Sequence, residues 1–528
     1  MLDFLKQFSA WSIFDQVVCY LFIIQFIWGA TNKFGKKDEF NEDFLSLDAM
    51  KSLRGFAALG VIIHHISQEP CFQEEGILSP FVNAGAYFVA IFFFCSGYGL
   101  LKSYITKENY LKGFIKKRIV KSIVVPFYIN VIIYGILIAL VKIPLDKVQW
   151  ITNFAGITMM NTYAWFPIVL ALLYLVFFIT FKIFKKPNQR PIAFAIILIF
   201  IIAMGVGCMI NGHFAWWAGP DNWWMDDHFW ETSMKWWMDQ KIFWFHGEWW
   251  VNSAPAFFTG LVFANYEKQI VAFFKKKYWI KYHVLLIFTM IFYKLSAWGQ
   301  AHFGYWTEFN FKGPEIDNKI YTYFCQVPLF LVLGLTIIIF MMKYHVSNPV
   351  SRFFGKYSLH TYLMNLAALT ALRFLEYNFD ESPFYLGGKY NNLLVYGVGV
   401  VILTVLFGVG EQKITEAVQK LLFTKRVKKV AYVANDGLID SADAPLDYRA
   451  VRKAEAAEAK AAEASETGSG KKDVKSAEAD KTEMADPEKK PEAKEEPQKE
   501  SSSAQKKPSS GSGPNNNGSK KKKNNKKK

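Results

Sequence analysis

The sequence predicts an all-α protein, a polytopic integral membrane helix bundle of about ten or eleven transmembrane helices with a disordered C-terminal tail. Three observations predict it. Of 528 residues, 52% are hydrophobic and 17% aromatic, more apolar than an ordinary soluble domain. Apolar runs near the length that crosses about 30 Å of hydrocarbon recur from residue 11 to residue 411. All 17 Trp and all 49 Phe precede Ser441, so the remaining chain has too few apolar side chains to bury a core.

The runs fall near 11–30, 53–67, 81–101, 119–141, 164–183, 192–211, 252–266, 282–298, 319–342, 357–377 and 392–411. The first lacks a basic flank and a small-residue cleavage site, so a retained span is expected rather than a signal peptide. Basic loops set the direction. Lys102–Lys121 holds seven Lys/Arg against one acid, and 182–190, 268–281 and 343–356 are also basic, so these face the cytoplasm. The loops 68–80, 211–251 and 378–392 are acidic or neutral and face outward, and the chain after Glu411 returns inside.

Four regions are expected along the chain. Residues 1–46 carry an additional N-terminal span and a cytoplasmic linker, and 47–415 the main membrane domain. Residues 416–440 are a basic juxtamembrane segment, and 441–528 a low-complexity charged tail ending in lysines and asparagines. That tail is either a solvated disordered segment or an electrostatic tether to anionic lipid or acidic partners. Its basic runs lack interleaved aromatics, which argues against nucleic acid. The five cysteines show no CxxC or metal spacing, so neither a disulfide framework nor a metal site is expected.

The most informative stretch is Leu53-Arg54-Gly55-Phe56-Ala57-Ala58-Leu59-Gly60-Val61-Ile62-Ile63-His64-His65. Ionisable groups at membrane depth are costly and face a cavity or the bundle interior. At about 100° per residue, positions eleven apart differ by roughly 20°, so Arg54 and His65 share a helix face about 16 Å apart along the axis. His64 is turned about 80° away. A guanidinium at one end suits an anionic group, and an imidazole farther in suits a proton. Positive-inside anchoring and a helix-packing histidine would account for the same residues structurally.

This run resembles the signature of the acyltransferase-3 family of polytopic membrane O-acyltransferases, an Arg followed by ten residues and a His, which selects His65 over His64. Phe92-Phe93-Phe94-Cys95-Ser96-Gly97-Tyr98 is similar to the family's second-span element, and Phe114–Lys121 to its basic run. Trp165-Phe166-Pro167, Phe257-Phe258-Thr259-Gly260 and Gly355–Asn365 resemble later elements, in order, over about residues 47–415. Asn365 stands where many members carry His, and Lys121 where Arg is commoner.

The resemblance implies an acyltransferase that moves an acyl group, commonly acetyl, from cytoplasmic acyl-CoA to a hydroxyl of an extracytoplasmic glycan or lipid-linked sugar. Acetyl-CoA would be a donor substrate, with no bound cofactor and no metal, and the plasma membrane is the expected location, with membrane lipid around the bundle and the tail cytoplasmic. On that reading His65, Arg54 and Ser96 are the catalytic candidates, His65 being either base or covalent acyl carrier and Ser96 an oxyanion donor. Arg118, Lys117 and Lys121 would bind acyl-CoA phosphates, and Trp165 and Asn365 would line the acceptor cavity. The loop 211–251 holds ten Trp among carboxylates, which suits either sugar rings or an interfacial aromatic belt. Two other classes fit a polytopic bundle: a transporter or flippase using the intramembrane Arg and His, and an inactive scaffold recruiting partners through its tail.

Overall fold

Eleven apolar runs become eleven helices. The computed structural model describes residues 13–141, 150–151, 154, 161–211, 251–303, 315–378 and 393–423. The Trp-rich loop and the charged tail lie outside the described residues. In chain order the main helices are α1 (Ile13–Ile27), α2 (Leu47–Ser67), the short α3 (Pro70–Glu74), α4 (Gly85–Thr106) and a π-helical segment (Ile115–Val124) that continues into α5 (Val125–Leu140). Then come α6 (Trp165–Ile183), α7 (Arg190–Asn211), α8 (Pro255–Asn265), α9 (Glu267–Lys275), α10 (Tyr278–Phe303), α11 (Glu315–Met341), α12 (Pro349–Asn378) and α13 (Leu393–Phe423).

By length and composition seven helices among the described residues can cross a membrane: α4, the π segment with α5, α6, α7, α10, α11 and α13. The molecule is an integral membrane protein. Helices α1 and α8 have 15 and 11 residues and are short for a full crossing. Helices α2 and α12 have 21 and 30 residues and fall outside that set through composition, because they carry Lys51, Arg54, His64, His65, Arg352, Lys356, His360 and Arg373. Of these His65 is buried, Lys356 is exposed and the others are half-buried, whereas α10 presents bare hydrocarbon. Ile280, Val284, Ile287, Ile291 and Trp298 on α10 are all exposed, a surface that fits lipid rather than water.

Without a hydrophobic drive between helices in lipid, close packing depends on small residues. A Cβ on Gly55 of α2 would strike the Ser351 carbonyl of α12, and one on Gly355 of α12 would strike the Lys51 carbonyl of α2. The same reciprocity joins α4 to α8, where Gly97 meets the Phe257 carbonyl and Gly260 the Phe94 carbonyl. Glycines from four of the sequence motifs are therefore contact points that let backbones touch.

The segment between α1 and α2 folds against the end of α11. Two strands, β1 (Thr31–Asn32) and β2 (Tyr344–His345), pair antiparallel, Thr31 with His345 and Asn32 with Tyr344. Lys343 is fully buried and donates to the carbonyls of Lys36 (2.6 Å), Lys37 (3.1 Å) and Glu39 (2.6 Å). Its ammonium also lies 4.1 Å from the Phe40 ring centroid. Burial lowers this amine's pKa from the ordinary lysine value, and three carbonyls and a ring offset the lost water. Hydrogen bonds from Lys36 and Lys33 lower the pKa of Glu39 beside it. This clasp fixes the chain that enters α2, where Ser46 caps the helix by accepting from Ala49 N at 3.2 Å.

Candidate functional site

Helix α2 carries two chemically different ends. At the far end His65 is buried, 7% exposed, and its Nδ1 lies 2.7 Å from Asn365 Oδ1 on α12. Asn365 in turn donates from Nδ2 to Thr404 Oγ1 of α13 at 3.0 Å. With its amide nitrogen so engaged, Asn365 presents an acceptor to the imidazole, so Nδ1 carries the proton and Nε2 keeps its lone pair. The Tyr163 ring lies parallel to the imidazole, centroids 3.7 Å apart and planes at 16°, while Tyr362 stands 6.3 Å away. Asn365, an acceptor-cavity candidate from sequence, thus touches the imidazole directly and sets its tautomer.

His64 faces elsewhere, as the helical angle requires. Its Nδ1 donates to the Phe81 carbonyl at 2.8 Å, and its ring fills the space that a Cβ on Gly85 would need. It ties α2 to the turn before α4. Trp165 opens α6 two residues after Tyr163 and is 5% exposed. Its ring stands edge-on to Phe166 at 6.1 Å, and Phe166 reaches Tyr362 at 5.5 Å. That places Trp165 in the wall beside the His65 layer.

At the near end Arg54 is half-buried and makes no hydrogen bond or ion pair among the described residues. Asp48, one and a half turns earlier, faces Arg352 at 3.8 Å instead. The Arg54 charge acts on the Cys95 thiol of α4 and the Tyr174 phenol of α6. Tyr174 also lies near the Ser96 hydroxyl and within the field of Arg118. Arg118, on the π-helical segment, is half-buried, with its guanidinium 5.5 Å from the Tyr110 ring centroid. It too has no carboxylate partner among the described residues. The wide π turn shows in its bonding, with the Val125 N–H donating to the Val120 carbonyl five residues back.

The structure therefore brings Arg54, Ser96 and Arg118 around Tyr174 and keeps them from His65. Ser96 sits at the Arg54 level, because α4 runs against α2 with His64 beside Gly85 and Phe88 beside Gly60. An oxyanion role for Ser96 at the imidazole does not fit this placement; its hydroxyl belongs to the arginine end. Lys117 and Lys121 are exposed on the π segment, outside the half-buried group, and the Lys121 carbonyl accepts from Gln419 at 2.7 Å.

Sequence reasoning missed several polar residues. Glu69 accepts two bonds from Arg373, at 2.8 and 2.7 Å, and one from Tyr396 at 2.8 Å. Asn130 and Asn161 both donate to the Leu363 carbonyl, at 3.0 and 2.7 Å, and the Tyr134 hydroxyl meets Thr370 at 3.0 Å. Their signal was present: amides and charges inside apolar runs are expensive and need partners. Among the described residues no group of three His, Cys, Asp or Glu is placed to hold a metal ion.

A protein-family model described as an acyltransferase domain matches residues 47–410, a stretch that contains both ends of α2 and every helix that supplies them. No curated protein matches the chain, and no solved structure does.

Proposed function

The chain belongs to this family and is a membrane acyltransferase, and from that premise we propose that it carries an acyl group, in the first instance acetyl, from cytoplasmic acyl-CoA to a hydroxyl of an extracytoplasmic glycan or lipid-linked sugar. One observation carries the reading. Helix α2 joins an arginine end to a histidine end, with Arg54 paired to no carboxylate among the described residues at one and an imidazole with an available Nε2 at the other. The basic loops support an arginine end that faces the cytoplasm.

Arg54 and Arg118 then take the phosphates of the donor, as guanidinium groups pair with phosphate oxygens. Ser96 and Tyr174 hydrogen-bond the donor at the same level. The flexible arm of the acyl-CoA spans the roughly 16 Å that separate Arg54 from His65, so the thioester is delivered to the imidazole. His65 Nε2 takes the proton of the acceptor hydroxyl, and the oxygen attacks the thioester carbonyl. The carbon–sulfur bond breaks, the ester forms, and the coenzyme A thiolate leaves and takes up a proton. Tyr362, beside the imidazole and without a hydrogen bond among the described residues, supplies a donor for the oxyanion. Lys117 and Lys121 add a long-range attraction for the donor from the surface, and the plasma membrane with a cytoplasmic tail completes the arrangement.

The test is transfer of label from radiolabelled acetyl-CoA into surface glycan by membranes holding either the intact chain or a well-folded His65→Ala variant. Label that depends on His65 is the expected result. Abundant folded protein that moves no label from acetyl-CoA or longer acyl-CoA donors would turn the reading toward transport.

A further inference from the structure

Just past the end of α2, four residues after His65, Glu69 is 3% exposed. Arg373 of α12 forks onto it from Nε and Nη2 at 2.8 and 2.7 Å, and the Tyr396 hydroxyl of α13 adds a third bond at 2.8 Å. A buried pair is weak evidence for stability, because well-packed neutral side chains of similar volume commonly serve as well or better. In a bundle that must shed water from both ions, its presence points to a use.

The pair's neighbour is Tyr163. That ring lies flat on the His65 imidazole, and the turn that carries it packs against α12, the helix of Arg373, with Asn161 two residues earlier donating to the Leu363 carbonyl of α12 at 2.7 Å; the Tyr163 hydroxyl stands in the field of Glu69, Arg373 and Tyr134. Thr370, the Tyr134 partner, is on the same helix as Arg373, three residues earlier and so on the same side. The groups around the imidazole are then His64 on its own helix, Asn365 and Tyr362 from α12, and Tyr163 from the turn before α6. Asn365 fixes one edge, and Tyr163 fixes the plane.

We propose that the Glu69–Arg373 pair, completed by Tyr396, is a positioning element that holds Tyr163 flat against His65 and so aims Nε2 at the acceptor hydroxyl. This rests on the acyl-transfer reading of the site. The alternative is a staple that joins the end of α2 to α12 and α13 and does nothing for the imidazole.

A set of full-length variants separates the two. Glu69→Gln and Arg373→Gln each strand one buried charge and lower both thermal stability and turnover. Glu69→Gln/Arg373→Gln carries neither charge, and its thermal stability is expected to return close to that of the wild type. Its kcat is expected to stay at least tenfold down with the acyl-CoA KM unchanged. Tyr163→Phe, which keeps the stacked ring and removes the hydroxyl, is expected to lower kcat in the same way. A double variant that regains kcat together with stability overturns the proposal, as does Tyr163→Phe with wild-type kcat. A wild-type chain with no acyl-CoA-dependent transfer would instead overturn the reading of the reaction, and donor-dependent label in the wild type keeps the two failures apart.

Discussion

The two ends of α2 are built on opposite principles. Around His65 the principal polar groups have partners: Asn365 with Thr404, Glu69 with Arg373 and Tyr396, Asn130 and Asn161 with the Leu363 carbonyl. Around Arg54 two half-buried guanidinium groups converge on Tyr174 and neither meets a carboxylate among the described residues. The first is preorganised, with side chains locked by their neighbours before any substrate arrives. On the proposed reading the second is completed by an anion from outside. A transferase with a fixed base and a mobile, charged donor needs that asymmetry.

The largest effect should come from breaking the ordered end. His65→Ala is expected to cost about a thousandfold in transfer rate with thermal stability held, measured as label moved in a single turnover. Equal loss from His64→Ala would contradict the assignment. At the open end Arg54→Ala should raise the acyl-CoA KM about ten- to a hundredfold, the worth of a charge-assisted contact. Arg54→Lys should recover part of it, and an unchanged KM would reduce Arg54 to an anchor. Asn365→Leu frees the imidazole edge and should lower kcat roughly tenfold with donor KM unchanged, which sharpens the distinction between aiming the base and holding the donor. Outside both ends, Lys343→Met strands three carbonyls and should lower unfolding stability by about 2–3 kcal/mol while turnover per folded molecule stays the same. Smallest is His64→Ala, which loses one bond to the Phe81 carbonyl and should cost about 1 kcal/mol of stability with kcat within roughly twofold of wild type.

The helices were readable because length and hydrophobicity decide them: each of the eleven apolar runs falls on a helix. Arg54 and His65 were readable for a similar reason, since a charge and an imidazole eleven residues apart in apolar sequence must share a face. Gly97, Gly260 and Gly355 were visible as motif residues, but their work as backbone contacts needs the partner helix, which sequence spacing does not contain. Ser96 was placed near the chemistry on the strength of its motif, and the antiparallel run of α2 and α4 put it at the other end. Tyr174 and Tyr163 were hidden because a tyrosine in or beside an apolar run reads as packing until its hydroxyl is located. Glu69 and Arg373 are 304 residues apart, and no local pattern joins them.

The composition of α2 and α12 has a consequence for how the molecule is made. A segment with Arg, Lys and two His among its apolar residues gains little by moving alone into lipid, since each ion in hydrocarbon costs on the order of 2.5–3.5 kcal/mol on insertion scales. Helix α2 is synthesised early, but the helix that meets Gly55 and His65 emerges 300 residues later. Until then its polar face must be sheltered by α4 and the translocation machinery, so the reaction centre closes as one of the last acts of assembly. A chain stopped after α11 would hold most of its lipid-facing helices and still lack a place for α2 to settle.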